Sequence, residues 1–142
     1  MGLPRIDISP ISSLQDKQIA NIIKAVGREF GAVGEGFGPS DAEVDNMSQH
    51  YLVKQRACYL VASVDGDIVG GAGIASFNGS TDTCELKKLF LLPESRGLGL
   101  GKQLTQQCLA YAKGVGYTQC YLDTLASMTA AIALYEKKGL NT

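Results

Sequence analysis

The sequence predicts an α/β domain built on a mixed, mostly antiparallel central sheet flanked by helices, in the order β-α-α-β-β-β-α-β-α. Three observations predict it. Strand-like segments follow one another through the tight-turn pairs Asp65-Gly66 and Asn78-Gly79. Amphipathic helical periods lie before and after that run. Between them, three alternating glycines, Gly97, Gly99 and Gly101, join an apolar strand directly to the start of a helix. At 142 residues the chain is long enough to enclose one core, so residues 1–142 are expected to form a single domain.

Pro4 to Ile11 alternate in part, with Ile6 and Ile8 on one face, and give a short first strand. Ser12-Ser13-Leu14-Gln15 carries a capping-box pattern. Leu14, Ile19, Ile22, Ile23, Val26 and Phe30 then recur at helical spacing and give a first helix. The stretch from Gly31 to Pro39 holds too much glycine for helix or strand and reads as a loop, containing Glu35 and Phe37. Ser40-Asp41-Ala42-Glu43 is a second capping box, and Val44, Met47 and Tyr51 continue it as a second helix.

From Ala57 the period changes to that of strands. Tyr59 to Val64, Ile68 to Phe77 and Thr83 to Leu92 form a meander. Gly70, Gly71 and Gly73 inside the middle strand mark a bulge or a neighbour pressed against the backbone. After the glycine loop, Leu100, Leu104, Cys108, Ala112 and Val115 make one helical stripe, which Gly114 and Gly116 end. Tyr117 to Thr124 is a strand. Met128 to Lys138 reads as a last helix, ended by Gly139.

Charge and cysteine usage narrow the partners. Thirteen Lys plus Arg against 14 Asp plus Glu leave a net charge of -1, without the broad basic field of a nucleic-acid or anionic-membrane binder. No apolar run approaches the roughly 20 residues that span a bilayer. Cys58, Cys84, Cys108 and Cys120 have neither CxxC nor zinc spacing, so no metal is expected, and they read as reduced core residues of a cytoplasmic protein. His50, the only histidine, has no nucleophile motif beside it and reads as a surface residue.

The stretch from Leu86 to Lys102 places converging backbone N–H groups at a helix start with no side chains in the way, which makes an anion cradle. Spacing excludes two dinucleotide or mononucleotide motifs. A Rossmann fingerprint needs glycine where Lys102 or Leu104 stands, and a Walker loop ending in Gly101-Lys102 needs glycine at Arg96 and Ser or Thr at Gln103. What remains is Arg96-Gly97-Leu98-Gly99-Leu100-Gly101, an Arg-x-x-Gly-x-Gly loop after a strand. With the Glu-Leu-x-x-Leu-Phe-Leu-x-Pro pattern from Glu85 to Pro93 and Ala131-Ile132-Ala133-Leu134-Tyr135-Glu136-Lys137-Lys138-Gly139-Leu140, the chain resembles the GNAT superfamily of acyl-CoA N-acyltransferases. The resemblance runs from Arg5 onward and is most specific between Glu85 and Leu140.

That resemblance implies an acetyltransferase using acetyl-CoA (coenzyme A), in which a primary amine of a small molecule or peptide attacks the thioester directly. The loop residues Arg96, Gly97, Leu98, Gly99, Leu100, Gly101 and Lys102 would form the pyrophosphate site, with Arg96 holding the loop or pairing with phosphate, and the backbone of Leu89, Phe90 and Leu91 would run along the pantetheine arm. Glu85 would act as the base that deprotonates the amine or as an anchor for its ammonium form. Tyr135 would place or protonate the leaving thiolate. Residues alone also allow blander readings: Leu89 to Leu91 as core strand, Tyr135 as core aromatic, Lys102 as a solvated first-turn residue.

Two departures from the family pattern stand out. Met128 replaces a common asparagine and Leu140 a common phenylalanine. The family also continues with a strand hairpin that this chain would not supply after its last helix, so a further segment or a second copy, as in a homodimer, would complete the sheet edge. A non-catalytic acyl-CoA-binding or regulatory module is the alternative function, and a nucleotide-dependent protein a third.

Overall fold

The computed structural model describes residues 3–29, 42–123 and 129–133. Their elements are β1 (Ile6–Pro10), α1 (Asp16–Glu29), β2 (Cys58–Val64), β3 (Asp67–Ser76), β4 (Thr83–Leu91), α2 (Leu100–Gly114), β5 (Gln119–Asp123) and β6 (Thr129–Ala133). The six strands form one sheet in sequence order. Every neighbouring pair is antiparallel except β4 and β5, which run parallel and are joined through α2.

The turn chemistry works as read. Asp65 and Gly66 both take positive φ, 52° and 89°, so the two-residue β2–β3 turn matches the twist of its strands. Asn78 and Gly79 do the same at 50° and 76°, and the Ser80 N–H donates to the Phe77 carbonyl at 2.9 Å.

Alternation along the strands divides the apolar residues between two layers. On one face Leu60, Ala62, Ile74, Cys84 and Leu86 pack against Leu100, Leu104, Cys108 and Ala112 of α2, the expected stripe. On the other, Tyr59, Val61 and Phe90 pack against Ile19, Ile22, Ile23 and Val26 of α1 and against Val44, Met47 and Tyr51. Truncating a fully enclosed residue such as Leu104 to alanine is worth about 2–5 kcal/mol at sites of this kind. Leu14, expected on the α1 stripe, is 93% exposed. It lies in a 3-10 turn, Ser13–Gln15, that precedes α1 and starts where the Ser12 N–H donates to Gln15 Oε1 at 2.9 Å.

Two expected helices are corrected. Residues Ala42–Gln49 form 3-10 structure broken at Asn46, where φ is -147°, in place of a regular second helix. Ser48 at the break is held from outside: its N–H and hydroxyl donate to Asp16 Oδ1 and Oδ2 at 2.8 and 2.6 Å, which bonds this turn to the head of α1. The last helix expected over 128–138 is replaced in its described part by β6, whose Thr129 to Ala133 pair with Asp123 to Gln119. An alanine-rich run with β-branched Thr129 and Ile132 gains a full ladder by covering the β5 edge, which would otherwise carry unpaired backbone groups. The sheet edge that the sequence reading left open beside β5 is thus occupied. Among the described residues no helix is long and apolar enough to cross a membrane.

Candidate active site

Two features of β4 set the site. The parallel ladder to β5 pairs Thr83–Leu86 with Gln119–Leu122 and goes no further, although β4 continues to Leu91. Past Leu86 the ladder ends, one residue before β5 itself ends at Asp123, and the β4 edge on that side has no ladder partner among the described residues. On its other side β4 stays paired to β3, with Phe90 opposite Gly71 and Leu91 opposite Gly70. Apart from the Phe90 carbonyl, turned toward Gly70 of β3, and the Leu91 carbonyl, which accepts from Arg96, the backbone of this edge from Leu89 to Leu91 can take an extended amide-bearing chain as a further strand would.

The second feature is a bulge. Gly71 pairs with Phe90 and Gly73 with Lys87, so two β4 residues, Lys88 and Leu89, face the single Ala72. Lys88 has φ of 57° and is buried.

Directly beyond β4, Pro93–Ser95 make a 3-10 turn and Gly97 and Gly99 adopt φ of 89° and 77°. A β-carbon at either glycine would meet no atom within 4 Å, so both positions border open space. Gly99 is the N-cap of α2, whose first intrahelical bond is from Gln103 N–H to the Gly99 carbonyl at 3.1 Å. Helix geometry therefore leaves the Leu100, Gly101 and Lys102 N–H groups without intrahelical acceptors, at the positive end of a 15-residue helix. This is the form of an anion site, and a diphosphate fits it.

Arg96, expected to hold the loop or to pair with phosphate, is engaged within the protein. Its Nη1 and Nη2 donate to Glu29 Oε2 and Oε1, both at 2.7 Å, and its Nη2 and Nε donate to the Leu91 carbonyl at 2.8 and 3.2 Å. The guanidinium fixes the loop to the end of β4 and to α1. Glu29 was not singled out in the sequence, because nothing local marks it as the partner of a residue 67 positions away.

On the α1 side of the bulge, polar groups gather that the sequence reading also missed. Glu43 accepts from the Tyr51 hydroxyl at 2.7 Å and lies 3.8 Å from both Lys87 Nζ and Lys88 Nζ. Consecutive lysines reach one carboxylate because the bulge breaks strand alternation between them. The Tyr59 hydroxyl, in turn, donates to the Lys88 carbonyl at 2.7 Å. Burial, reinforced by Glu43, pushes the ionisation of Tyr51 far up, and burial does the same for Tyr59, so both phenols are neutral donors at any ordinary pH. The adjacent Lys87-Lys88 in an otherwise alternating strand was the available signal for this cluster.

Glu85 is half-buried in β4, between Ala75 and Tyr121 in register, near enough to Tyr51 for its charge to add to that phenol's shift. The structure therefore brings Glu85, the bulge and the open β4 edge onto one strand, with the glycine loop at its end. Tyr135 lies outside the described residues, as does the loop with Glu35 and Phe37. His50 is exposed, as expected.

Comparison with known proteins gives the family. Residues 23–140 match the model of the acetyltransferase (GNAT) family. The chain is 41% identical over 130 residues to the uncharacterized N-acetyltransferase YjgM of Escherichia coli (strain K12), covering 89% of this chain and 77% of that protein. It is 30% identical over 138 residues to the uncharacterized N-acetyltransferase C1271.07c of Schizosaccharomyces pombe, covering 96% and 83%. Among solved structures, a GNAT-family acetyltransferase of Staphylococcus aureus Mu50 superposes with a TM-score of 0.73 at 20% identity, covering 87% of this chain and 75% of that one. One from Brucella melitensis, solved in complex with acetyl-CoA, gives 0.66 at 21% identity, covering 84% and 76%. The chain belongs to the GNAT acetyltransferase family, and it is an N-acetyltransferase by that membership.

Proposed function

We propose that the protein transfers an acetyl group from acetyl-CoA to a primary amine of a small molecule or peptide, by direct attack of the amine on the thioester. The observation that carries this reading is the alignment on one strand of the stretch Leu89 to Leu91, which has no β5 ladder partner among the described residues, with a glycine loop and bare helix N–H groups at its end. The two parts match the two ends of one ligand, an amide-rich arm and a diphosphate. The Brucella relative binds acetyl-CoA with the same fold.

In this reading the N–H groups around Gly97, Leu98, Gly99, Leu100, Gly101 and Lys102 hold the diphosphate, while Arg96 keeps the loop in place through Glu29 and Leu91. The β4 backbone from Leu89 to Leu91 aligns the arm. Glu85 takes the proton from the acceptor ammonium, directly or through water, or anchors it. Tyr135 donates to the sulfur as it leaves: a phenol near 10 is an adequate acid toward a thiolate whose conjugate acid titrates at about 8.5. When bound, acetyl-CoA supplies the activated acetyl group, so the protein needs only to align, deprotonate and protonate. Residues 1–142 act as one domain.

Isothermal titration with acetyl-CoA, with thiol release measured over a panel of amines, tests the reading. Micromolar binding with thiol release for at least one amine is the expected result. Binding without release for any amine would instead favour a non-catalytic acyl-CoA module, and binding of ATP or NAD in its place would remove the cofactor assignment.

A further inference from the structure

Tyr59 is enclosed at 1% exposure on β2, opposite Gly73 of β3. A β-carbon at Gly71 would lie 2.6 Å from its Cε2, and one at Gly73 2.6 Å from its Cδ1. The ring therefore lies flat across β3, through a gap that only glycines leave, and brings its hydroxyl to the far strand, where it donates to the Lys88 carbonyl at 2.7 Å. Lys88 has φ of 57°, a conformation that a residue with a long side chain seldom takes. Its carbonyl is turned out of the regular ladder in a buried place, where a missing partner would be costly.

The bulge sets the phase of everything after it. Cys84 and Leu86 face the α2 core, and strict alternation would send position 90 there too. With one extra residue at the bulge, Leu89 and Leu91 pack toward α2 instead, and Phe90 enters the α1 core. Which backbone groups of this stretch point at the open edge changes in the same step.

We propose that Tyr59 is a positioning residue for the transfer site: its hydroxyl fixes the left-handed bulge at Lys88, and through it the phase of the Leu89–Leu91 edge that aligns the cofactor arm. This rests on the cofactor reading above. The pyrophosphate end of the ligand does not depend on it.

The test compares two ligands on Tyr59→Phe: acetyl-CoA, and 3′-phosphoadenosine 5′-diphosphate, which keeps the diphosphate and lacks the arm. Removing one buried hydrogen bond should weaken acetyl-CoA about tenfold by calorimetry and leave the nucleotide within about twofold. In ligand-free protein, amide hydrogen exchange at 88–90 should quicken. Lys88→Gly, which adopts the left-handed conformation freely, should restore acetyl-CoA binding in the Tyr59→Phe background, or restore folding if that variant does not fold. Unchanged acetyl-CoA affinity in Tyr59→Phe, equal loss for both ligands, or no rescue by Lys88→Gly would overturn the role of Tyr59. Wild-type protein that binds neither ligand would overturn the cofactor reading as well, which separates the two failures.

Discussion

The two terminal nitrogens of Arg96 each donate to one oxygen of Glu29 at 2.7 Å, which ties the glycine loop to the last turn of α1. The pair is fork-to-fork, the geometry in which an arginine–carboxylate contact is strongest. Hydrogen bonding from Arg96 holds the Glu29 carboxyl below its ordinary 4.5. A carboxyl whose ionisation is depressed in the folded state stabilises that state fully above 4.5, and the contribution is lost as pH falls through the folded value below it. Glu29→Gln should therefore melt below wild type near neutral pH, with the gap closing in acid. Thermal melts taken stepwise from pH 7 to 3 check this, and parallel curves throughout would remove the pair's role. The site is solvent-facing, so the gap should be small and should shrink in high salt.

Gly99 carries the second prediction. Its φ of 77° strains any L-residue by about 1–2 kcal/mol, and a β-branched residue there would distort the loop whose N–H groups form the cradle. Gly99→Val should weaken coenzyme A at least tenfold while the far-ultraviolet circular dichroism stays that of the folded protein. Gly101 differs: its φ is ordinary, and an added β-carbon would sit 3.6 Å from Leu91 Cδ1, a normal contact. Gly101→Ala should be tolerated and Gly101→Leu should not. Equal affinity of all three variants and wild type in a calorimetric titration would sink the loop assignment.

The different fates of these residues show what a sequence can carry. Asp65-Gly66 and Asn78-Gly79 encode their turns locally, through positive φ that few residues accept, so the meander was legible. The stripe of α2 was legible because burial on one face repeats with the helical period. Gly70, Gly71 and Gly73 announced a close approach without naming what approached, since Phe90 and Leu91 of β4 meet the first and Tyr59 of β2 the other two. Lys88 gave no sign of a left-handed conformation, which is held by a hydroxyl 29 residues away. Neither did 129–133, where alanine-rich sequence fits helix or strand and the vacant edge of β5 decides. Local rules were readable, and contacts between elements were not.

The proposed acid and base can be told apart kinetically. Tyr135→Phe should lower kcat by about a hundredfold, the lower range for losing a general acid, with little change in KM for acetyl-CoA. Glu85→Gln should lower kcat and remove the acidic limb of the pH–rate profile if Glu85 is the base. If it anchors the ammonium group, KM for the amine should rise and the limb should remain. Full activity of Tyr135→Phe across the pH range would remove its acid role.

The glycines of β3 predict a contrast between neighbours two residues apart. At Gly73 an added β-carbon would meet mainly side chains, Tyr59 Cδ1 at 2.6 Å and Tyr51 Cε1 at 2.9 Å, with the Cys58 carbonyl at 3.1 Å. At Gly71 it would meet the Leu60 carbonyl at 2.5 Å as well as the Tyr59 ring, and that backbone belongs to the β2–β3 ladder and has no room to withdraw. Both alanine variants should be overpacked, at a cost of about 1–3 kcal/mol or more in urea unfolding. Adding Tyr59→Leu makes them diverge. With the ring gone, Gly73→Ala should cost clearly less than it does in wild type, giving a coupling energy of at least about 1 kcal/mol. Gly71→Ala should keep most of its cost, because the carbonyl it strikes is still there. Equal coupling at the two positions would mean that the ring does not lie across β3 as described, and with it would go the route by which Tyr59 reaches Lys88.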